Sequence, residues 1–351
     1  MDWIILALKN LSKLCPPSSN VIRGGLLEKL LDLVLFDNQD PDVVQNTIEA
    51  LCNLCAGPEI RKYLALQGGL EAACELCLSE FPSTQYYALC LMRELLSSPT
   101  EGVIDRFHEA DGMSTIMTLL NTEELKYLHA STLEVLANLL GVPVIAHELS
   151  KKKIYEFLLD QALSKTYQGQ TDFQAFAARC ISRAVNYSDQ RLIMNSVNVE
   201  KKILQLLTLP SYIVQAAALE AVGNLSKTLN CRRNFRKLDI VPAISKHLTI
   251  CDPGVREQAY FAAGTLMLYE ADLAERFVKE GFFKQLQDTL TDVKLFPVCG
   301  LIDNALACVI NLSETDALKE PLAKFMIRQI PELLAHPDES IKIKVRFISP
   351  Q

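Results

Sequence analysis

Within Val43–Leu54 the apolar residues Val44, Ile48, Leu51 and Leu54 recur at the three- and four-residue steps of one face of an α-helix. Asp40-Pro41 marks its start. An Asp there caps free N–H groups, and Pro has no N–H to waste in the first turn. Asp252-Pro253 sets the same start further along the chain. A shorter helix is predicted over Glu59–Gln67, ending at Gly68-Gly69, where a glycine at positive φ can reverse the chain. A further apolar run begins at Leu70. The local unit is short helix, Gly turn, second helix, polar turn, third helix.

This unit repeats. Ala7-Leu-Lys-Asn-Leu-Ser, Ala50-Leu-Cys-Asn-Leu-Cys, Val135-Leu-Ala-Asn-Leu-Leu, Ala221-Val-Gly-Asn-Leu-Ser and Cys308-Val-Ile-Asn-Leu-Ser share one pattern, and weaker copies lie around Arg93, Asn186 and Thr265. The marker positions 10, 53, 93, 138, 186, 224, 265 and 311 are 38–48 residues apart. A second marker precedes each third helix at Gly25, Gly69, Gly112, Lys153, Lys202, Asp239, Gly281 and Gln329, and its steps rise and fall with those of the first. Such a period belongs to solenoids of two- or three-helix units. About eight repeats fill residues 1–351 as one solenoid, with partial repeats at 1–14 and 315–351. The first repeat lacks two helices and the last segment, Ile341–Phe347, is short, so a piece or isoform of a longer protein is expected. Two steps are stretched by connections at 164–171 and 291–300.

Composition narrows the function. Hydrophobic residues make up 49% of the chain, aromatics only 7%, and the net charge is −7. That charge disfavours a general nucleic-acid binder. No stretch reaches the roughly 18 apolar residues of a membrane-spanning helix. The 11 Cys lie in apolar stretches and read as reduced thiols, which points to the cytosol, or also the nucleus. Cys52-x-x-Cys55 and Cys74-x-x-Cys77 have zinc-like spacing, but both pairs fall inside predicted helices, where Cys serves as a small filler. No metal and no cofactor is expected. The five His show no ligand spacing, and no catalytic or phosphate-binding motif appears, so no enzyme is expected. Arg232-Arg233 with Arg236-Lys237, and Lys151-Lys152-Lys153, read as solvated edges.

The run Ile60-Arg-Lys-Tyr-Leu-Ala-Leu-Gln-Gly-Gly-Leu70, together with the Ala-Leu-x-Asn-Leu segments, resembles the armadillo-repeat family over nearly the whole chain. The resemblance implies an all-α, right-handed solenoid of about eight three-helix repeats, whose third helices line a long concave groove. It also implies that the Asn row, here Asn53, Asn138, Asn186, Asn224 and Asn311, pairs with the main chain of an extended partner. The alternative is that each Asn bonds the backbone of a neighbouring repeat. Asn10, Asn186, Asn224 and Asn311 also form Asn-x-Ser sequons, which the row accounts for.

Glu49, Glu134 and Glu220 stand one helical turn before three of these Asn, on the same face. A row of acids would favour a basic or Arg-containing segment; ordinary solvated charge is the alternative. The importin-α type carries Trp in that row, whereas Trp3 is the chain's one Trp and lies outside it. Nor does the sequence show a basic row of the β-catenin type. The expected function is a non-catalytic scaffold or adaptor binding an extended protein segment, with no nucleic acid and no membrane span. The alternative is a chaperone cofactor or exchange factor that clamps a folded domain with the helix edges and the two stretched connections.

Overall fold

Asp40 and Asp252 cap the helices they precede. The Asp40 carboxylate accepts a hydrogen bond from Asp42 N at 2.9 Å, and Asp252 Oδ1 accepts one from Val255 N at 2.8 Å. Helices Pro41–Leu54 and Pro253–Met267 therefore start with a proline in the first turn and a satisfied donor beside it. The computed structural model describes residues 2–14, 24–35, 40–151, 154–295 and 297–348. Among these, every regular element is helical.

The helices follow in threes. A complete repeat is Pro58–Leu64, Leu70–Leu76 and Pro82–Leu95; the next is Glu101–Glu109, Gly112–Asn121 and His129–Leu139. The pattern continues with Pro143–Lys151, Ile154–Ala162 and Thr171–Ala184, then Ser188–Ser196, Val199–Leu207 and Tyr212–Leu225. Leu229–Lys237, Ile240–His247 and Pro253–Met267 precede Ala271–Lys279, Phe282–Leu290 and Cys299–Ser313.

The turn from first to second helix uses the left-handed region. Gly68, Asp111, Asn198, Asp239 and Gly281 have φ between 51° and 104°, and Gly25, just before helix Leu26–Leu35, has φ 63°. Asp and Asn are the residues besides Gly that tolerate this region. In the second complete repeat the turn residue is Asp111, and the marker Gly112 serves differently. A Cβ on Gly112 would lie 2.1 Å from the ring of the fully buried Phe107.

The chain packs as two compact units, residues 1–145 and 146–351. In the first, the third helices Asp2–Leu14, Pro41–Leu54, Pro82–Leu95 and His129–Leu139 pack each on the next. Leu51, Leu89, Leu136 and Leu139 are buried in that stack. In the second, Thr171–Ala184, Tyr212–Leu225, Pro253–Met267 and Cys299–Ser313 do the same. Here the buried surfaces are rich in small residues, among them Ala218, Ala221, Gly223, Ala262, Ala263 and Gly264. Small residues let helix axes approach closely. A Cβ on Gly223 would come within 2.4 Å of the Phe261 ring, and one on Gly264 within 3.2 Å of Cys308 Sγ.

The second unit ends differently from the other repeats. Asp316–Leu334 is one helix with Pro321 and Pro331 inside it, undivided by a left-handed turn. Glu339–Ile348 packs on it and on Cys299–Ser313 as a short third helix. The stretched connections hold 3-10 turns at Lys165–Tyr167 and Val293–Leu295. Tyr167 stacks on Phe173 with ring centroids 3.8 Å apart.

Candidate functional site

The third helices carry the Asn row near their C-terminal ends. Asn53 Nδ2 donates to Ser12 Oγ at 3.2 Å and to Lys9 O at 3.5 Å. Asn224 Nδ2 donates to Ser182 Oγ at 2.9 Å and Ser182 O at 3.4 Å. Asn311 Nδ2 donates to Gly264 O at 2.8 Å. Each amide therefore reaches back to the third helix of the preceding repeat. Each uses its NH2 group, and its Oδ1 accepts no hydrogen bond from a described residue. Asn138 is half-buried and Asn10 exposed, and neither has a hydrogen bond of this kind.

The hydrogen bonds also fix the register. Asn53 and Asn311 bond the carbonyl of the residue just before the preceding repeat's row position, Lys9 before Asn10 and Gly264 before Thr265. Asn224 bonds Ser182, which makes Arg183 the row residue of that repeat. A second contact agrees. Arg61 Nη1 donates to Cys55 O at 3.1 Å, Arg191 Nη1 to Val185 O at 2.7 Å, and Arg232 Nη1 to Ser226 O at 2.8 Å. In each case an arginine satisfies a carbonyl at the C-terminal end of a third helix, where cations are favoured. These arginines stand eight residues after Asn53, Arg183 and Asn224. Asn186 lies three residues further on, exposed, in the turn after Thr171–Ala184. Counting back two residues from the helix caps Leu96 and Cys55 likewise makes Glu94 the equivalent of Asn53.

One helical turn earlier on each third helix, the row reads Leu6, Glu49, Cys90 and Glu134 in the first unit, and Arg179, Glu220, Phe261 and Ala307 in the second. Glu49 is bridged by Lys9 at 3.3 Å and Lys13 at 2.5 Å, both on the preceding third helix. Burial pushes its pKa up, and hydrogen bonds from Lys13 and Lys9 outweigh this and hold it below the usual carboxylate range. Glu134 meets Arg93 of the preceding repeat at 3.4 Å. Glu220 is half-buried. Two of the three acids are thus paired between repeats, which is a structural use of their charge.

Arg179 and Arg183 are exposed and one turn apart. No ion pair or hydrogen bond joins either side chain to another described residue. The Arg179 guanidinium lies over the Phe176 ring, 5.3 Å from its centroid. On the next repeat, Lys227 Nζ lies 5.7 Å from the centroid of Phe261. Desolvation, with Arg191 nearby, lowers the Lys227 pKa, while Glu220 acts against the shift. This group escapes the sequence reading because the weak copy there is aligned on Asn186 rather than Arg183. The signal that finds it is the arginine eight residues after the row position.

The other candidate chemistry is structural. Arg232 is buried and holds Ser226 O, and Arg236 meets Asp272 at 3.4 Å. Lys152 and Lys153 lie outside the described residues. Cys55, Cys74 and Cys77 are buried, and burial raises the Cys55 thiol pKa to about 12 and that of Cys74 to about 11. Among the described residues, no three of His, Cys, Asp and Glu gather in a way that could hold a metal. No described single helix is long and apolar enough to cross a membrane.

No protein-family model matches the chain. Solved structures do. A crystal structure of an engineered protein from the Northeast Structural Genomics Consortium matches with a TM-score of 0.75 at 19% identity, covering 98% of this chain and 82% of that one. A designed armadillo repeat protein matches with a TM-score of 0.58 at 17% identity, covering 68% of this chain and 99% of that one. At this identity the likeness speaks for the fold alone, and the fold is an all-α solenoid of armadillo-like repeats.

Proposed function

We propose that the protein is a non-catalytic binding scaffold whose third-helix faces receive extended segments of partner proteins. One observation carries this reading. Asn53, Asn224 and Asn311 each use Nδ2 to hold the preceding repeat, and each Oδ1 is left as an acceptor. Fixed acceptors on the third-helix face, Asn53 in the first unit and Asn224 and Asn311 in the second, each suit an N–H group of an extended main chain, whose spacing is independent of side-chain sequence. The amides thus join the two roles open to them, holding the neighbouring repeat and presenting an acceptor. Glu49 and Glu134 are neutralised by Lys9, Lys13 and Arg93, so partner charge is set elsewhere on the face. Buried, protonated thiols fit a reducing compartment, the cytosol or the nucleus.

The test is a pull-down from cell lysate with the wild-type chain, with Asn138→Ala, and with Asn53→Ala/Asn138→Ala/Asn224→Ala. Asn138 bonds no neighbouring repeat, so its variant separates binding from stability. Partners that weaken with Asn138→Ala at unchanged melting temperature, and vanish with the triple variant, support the scaffold. Partners retained in full by all variants refute main-chain recognition. Partners that bind only as folded domains favour a clamp instead.

A further inference from the structure

Within the second unit, two neighbouring repeats leave a crevice of about 470 Å3 between their first and second helices. Asn198, Glu200 and Lys201 line it around the start of Val199–Leu207. Asn234, Lys237 and Leu238 line it around the end of Leu229–Lys237. The space suits a small molecule. Glu200 is 1% exposed and is the one buried carboxylate among the described residues. Its Oε1 accepts a hydrogen bond from Asn195 Nδ2 at 2.6 Å, whereas Oε2 has no N–H or O–H donor. Beside it stands the Cys231 thiol, a weak donor, whose pKa is raised to about 12 by burial and then by the Glu200 charge. A buried carboxylate oxygen short of donors is costly, and a ligand that brings a positive charge to it offsets that cost.

The rim of the crevice has the opposite sign. Lys201 and Lys237 are exposed, and neither has an anionic partner among the described residues. The side-chain amides of Asn198 and Asn234 are unbonded as well. Asn198 does not cap Val199–Leu207 with its side chain, so the first N–H groups of that helix add to the pull on an anion. The other charges on the surrounding helices are engaged. Lys202 meets Asp160 at 2.8 Å, Arg236 meets Asp272 at 3.4 Å, and Asp239 pairs with Arg276. Asp189 lies 3.8 Å from His147. Arg191 and Arg232 hold the carbonyls of Val185 and Ser226. Arg233, exposed and unpaired, adds positive charge outside the lining. A simple cation would be repelled by the two lysines, and a simple anion by Glu200. Two ammonium groups against one carboxylate match a doubly charged acid that carries one ammonium of its own.

We propose that this crevice binds a small phosphate monoester bearing a primary amine, with its ammonium turned to Glu200 and its phosphate held by Lys201 and Lys237. The site is separate from the third-helix face and does not depend on what that face receives.

The test is ligand-observed saturation-transfer NMR on the full chain with three compounds. O-Phosphoethanolamine carries both groups, ethyl phosphate lacks the ammonium, and ethanolamine lacks the phosphate. The same titrations are run on Lys201→Gln/Lys237→Gln. Both lysines are exposed and unbonded, so this variant should match the wild type in circular dichroism and melting temperature. O-Phosphoethanolamine should bind the wild type at least tenfold more tightly than either other compound, and the lysine variant at least tenfold more weakly. Glu200→Gln should erase the advantage over ethyl phosphate. Where that variant is unstable, the comparison of the two phosphates on the wild type reads the same contact. Equal binding of ethyl phosphate and O-phosphoethanolamine would leave an unselective anion site and overturn the proposal. Equal binding to the wild type and the lysine variant, or no transfer signal at millimolar concentration, would also overturn it.

Discussion

Replacing Asn224 by Ala removes the amide that ties Tyr212–Leu225 to Thr171–Ala184. The side chain is only 6% exposed, and its short bond runs to the fully buried Ser182. The loss comprises one good hydrogen bond, a weaker one to Ser182 O, and a hydroxyl left buried without its partner. Together these amount to about 2 kcal/mol. For a unit of this size such a change lowers the melting temperature by roughly 4–8 °C. Asn138→Ala, which breaks no bond between repeats, should stay within about 0.5 kcal/mol of wild type. The assay is urea and thermal unfolding followed by circular dichroism on both single variants, with Ser182→Ala and the Asn224→Ala/Ser182→Ala pair completing a double-mutant cycle. A coupling energy of about 1 kcal/mol between Asn224 and Ser182 is expected. Zero coupling, or equal destabilisation by Asn138→Ala and Asn224→Ala, would refute the idea that the amides hold adjacent repeats together.

Other substitutions read other parts of the structure. Leu139 is fully buried, so Leu139→Asp places an unpaired charge in the first unit and should cost on the order of 4 kcal/mol, seen as loss of helical signal at 37 °C. Gly112→Ala drives a methyl group into the Phe107 ring and should lose about 1–3 kcal/mol in urea unfolding, although Ala is elsewhere the better helix former. The folded-state pKa of Glu49 is held below its unfolded value, so its contribution is complete above that value and disappears as pH falls through the folded one. Acid titration below about pH 4.5 should therefore destabilise the wild type more than Glu49→Gln, by about 0.5–1 kcal/mol. With its thiol pKa at about 12, Cys55 should resist iodoacetamide at neutral pH, while the exposed Cys251 labels first among the described cysteines in a mass-spectrometric time course.

The fold was legible because its signals are local. Asp-Pro pairs mark helix starts whatever lies beyond them, and the apolar stripe of Val44, Ile48, Leu51 and Leu54 follows from helical geometry. The Gly markers were read partly for the wrong reason. At Asp111, Asn198 and Asp239 the left-handed residue is not glycine, and Gly112 is small because Phe107 occupies the space of a side chain. The candidate site was less legible because it depends on register between repeats. An Asn three residues beyond the row position diverted the alignment from Arg183 to Asn186, and this hid the Arg179–Arg183 pair. The partners of Glu49 and Glu134 lie about 40 residues earlier in the chain, and no local pattern links them.

The prolines in Asp316–Leu334 set an order of opening within the second unit. Each lacks an N–H, so the carbonyls four residues earlier, at Ala317 and Ile327, have no helical donor. Glu339–Ile348, which leans on this helix, has Cys299–Ser313 as its one third-helix neighbour among the described residues. In hydrogen-exchange terms this end should fray first, with amide protons exchanging through small local openings. Tyr212–Leu225 has a third helix on each side and a floor of alanine and glycine, so its amides should exchange only when the whole stack opens. In an array where each repeat is stabilised by its neighbours, loss of the end helix passes inward one interface at a time.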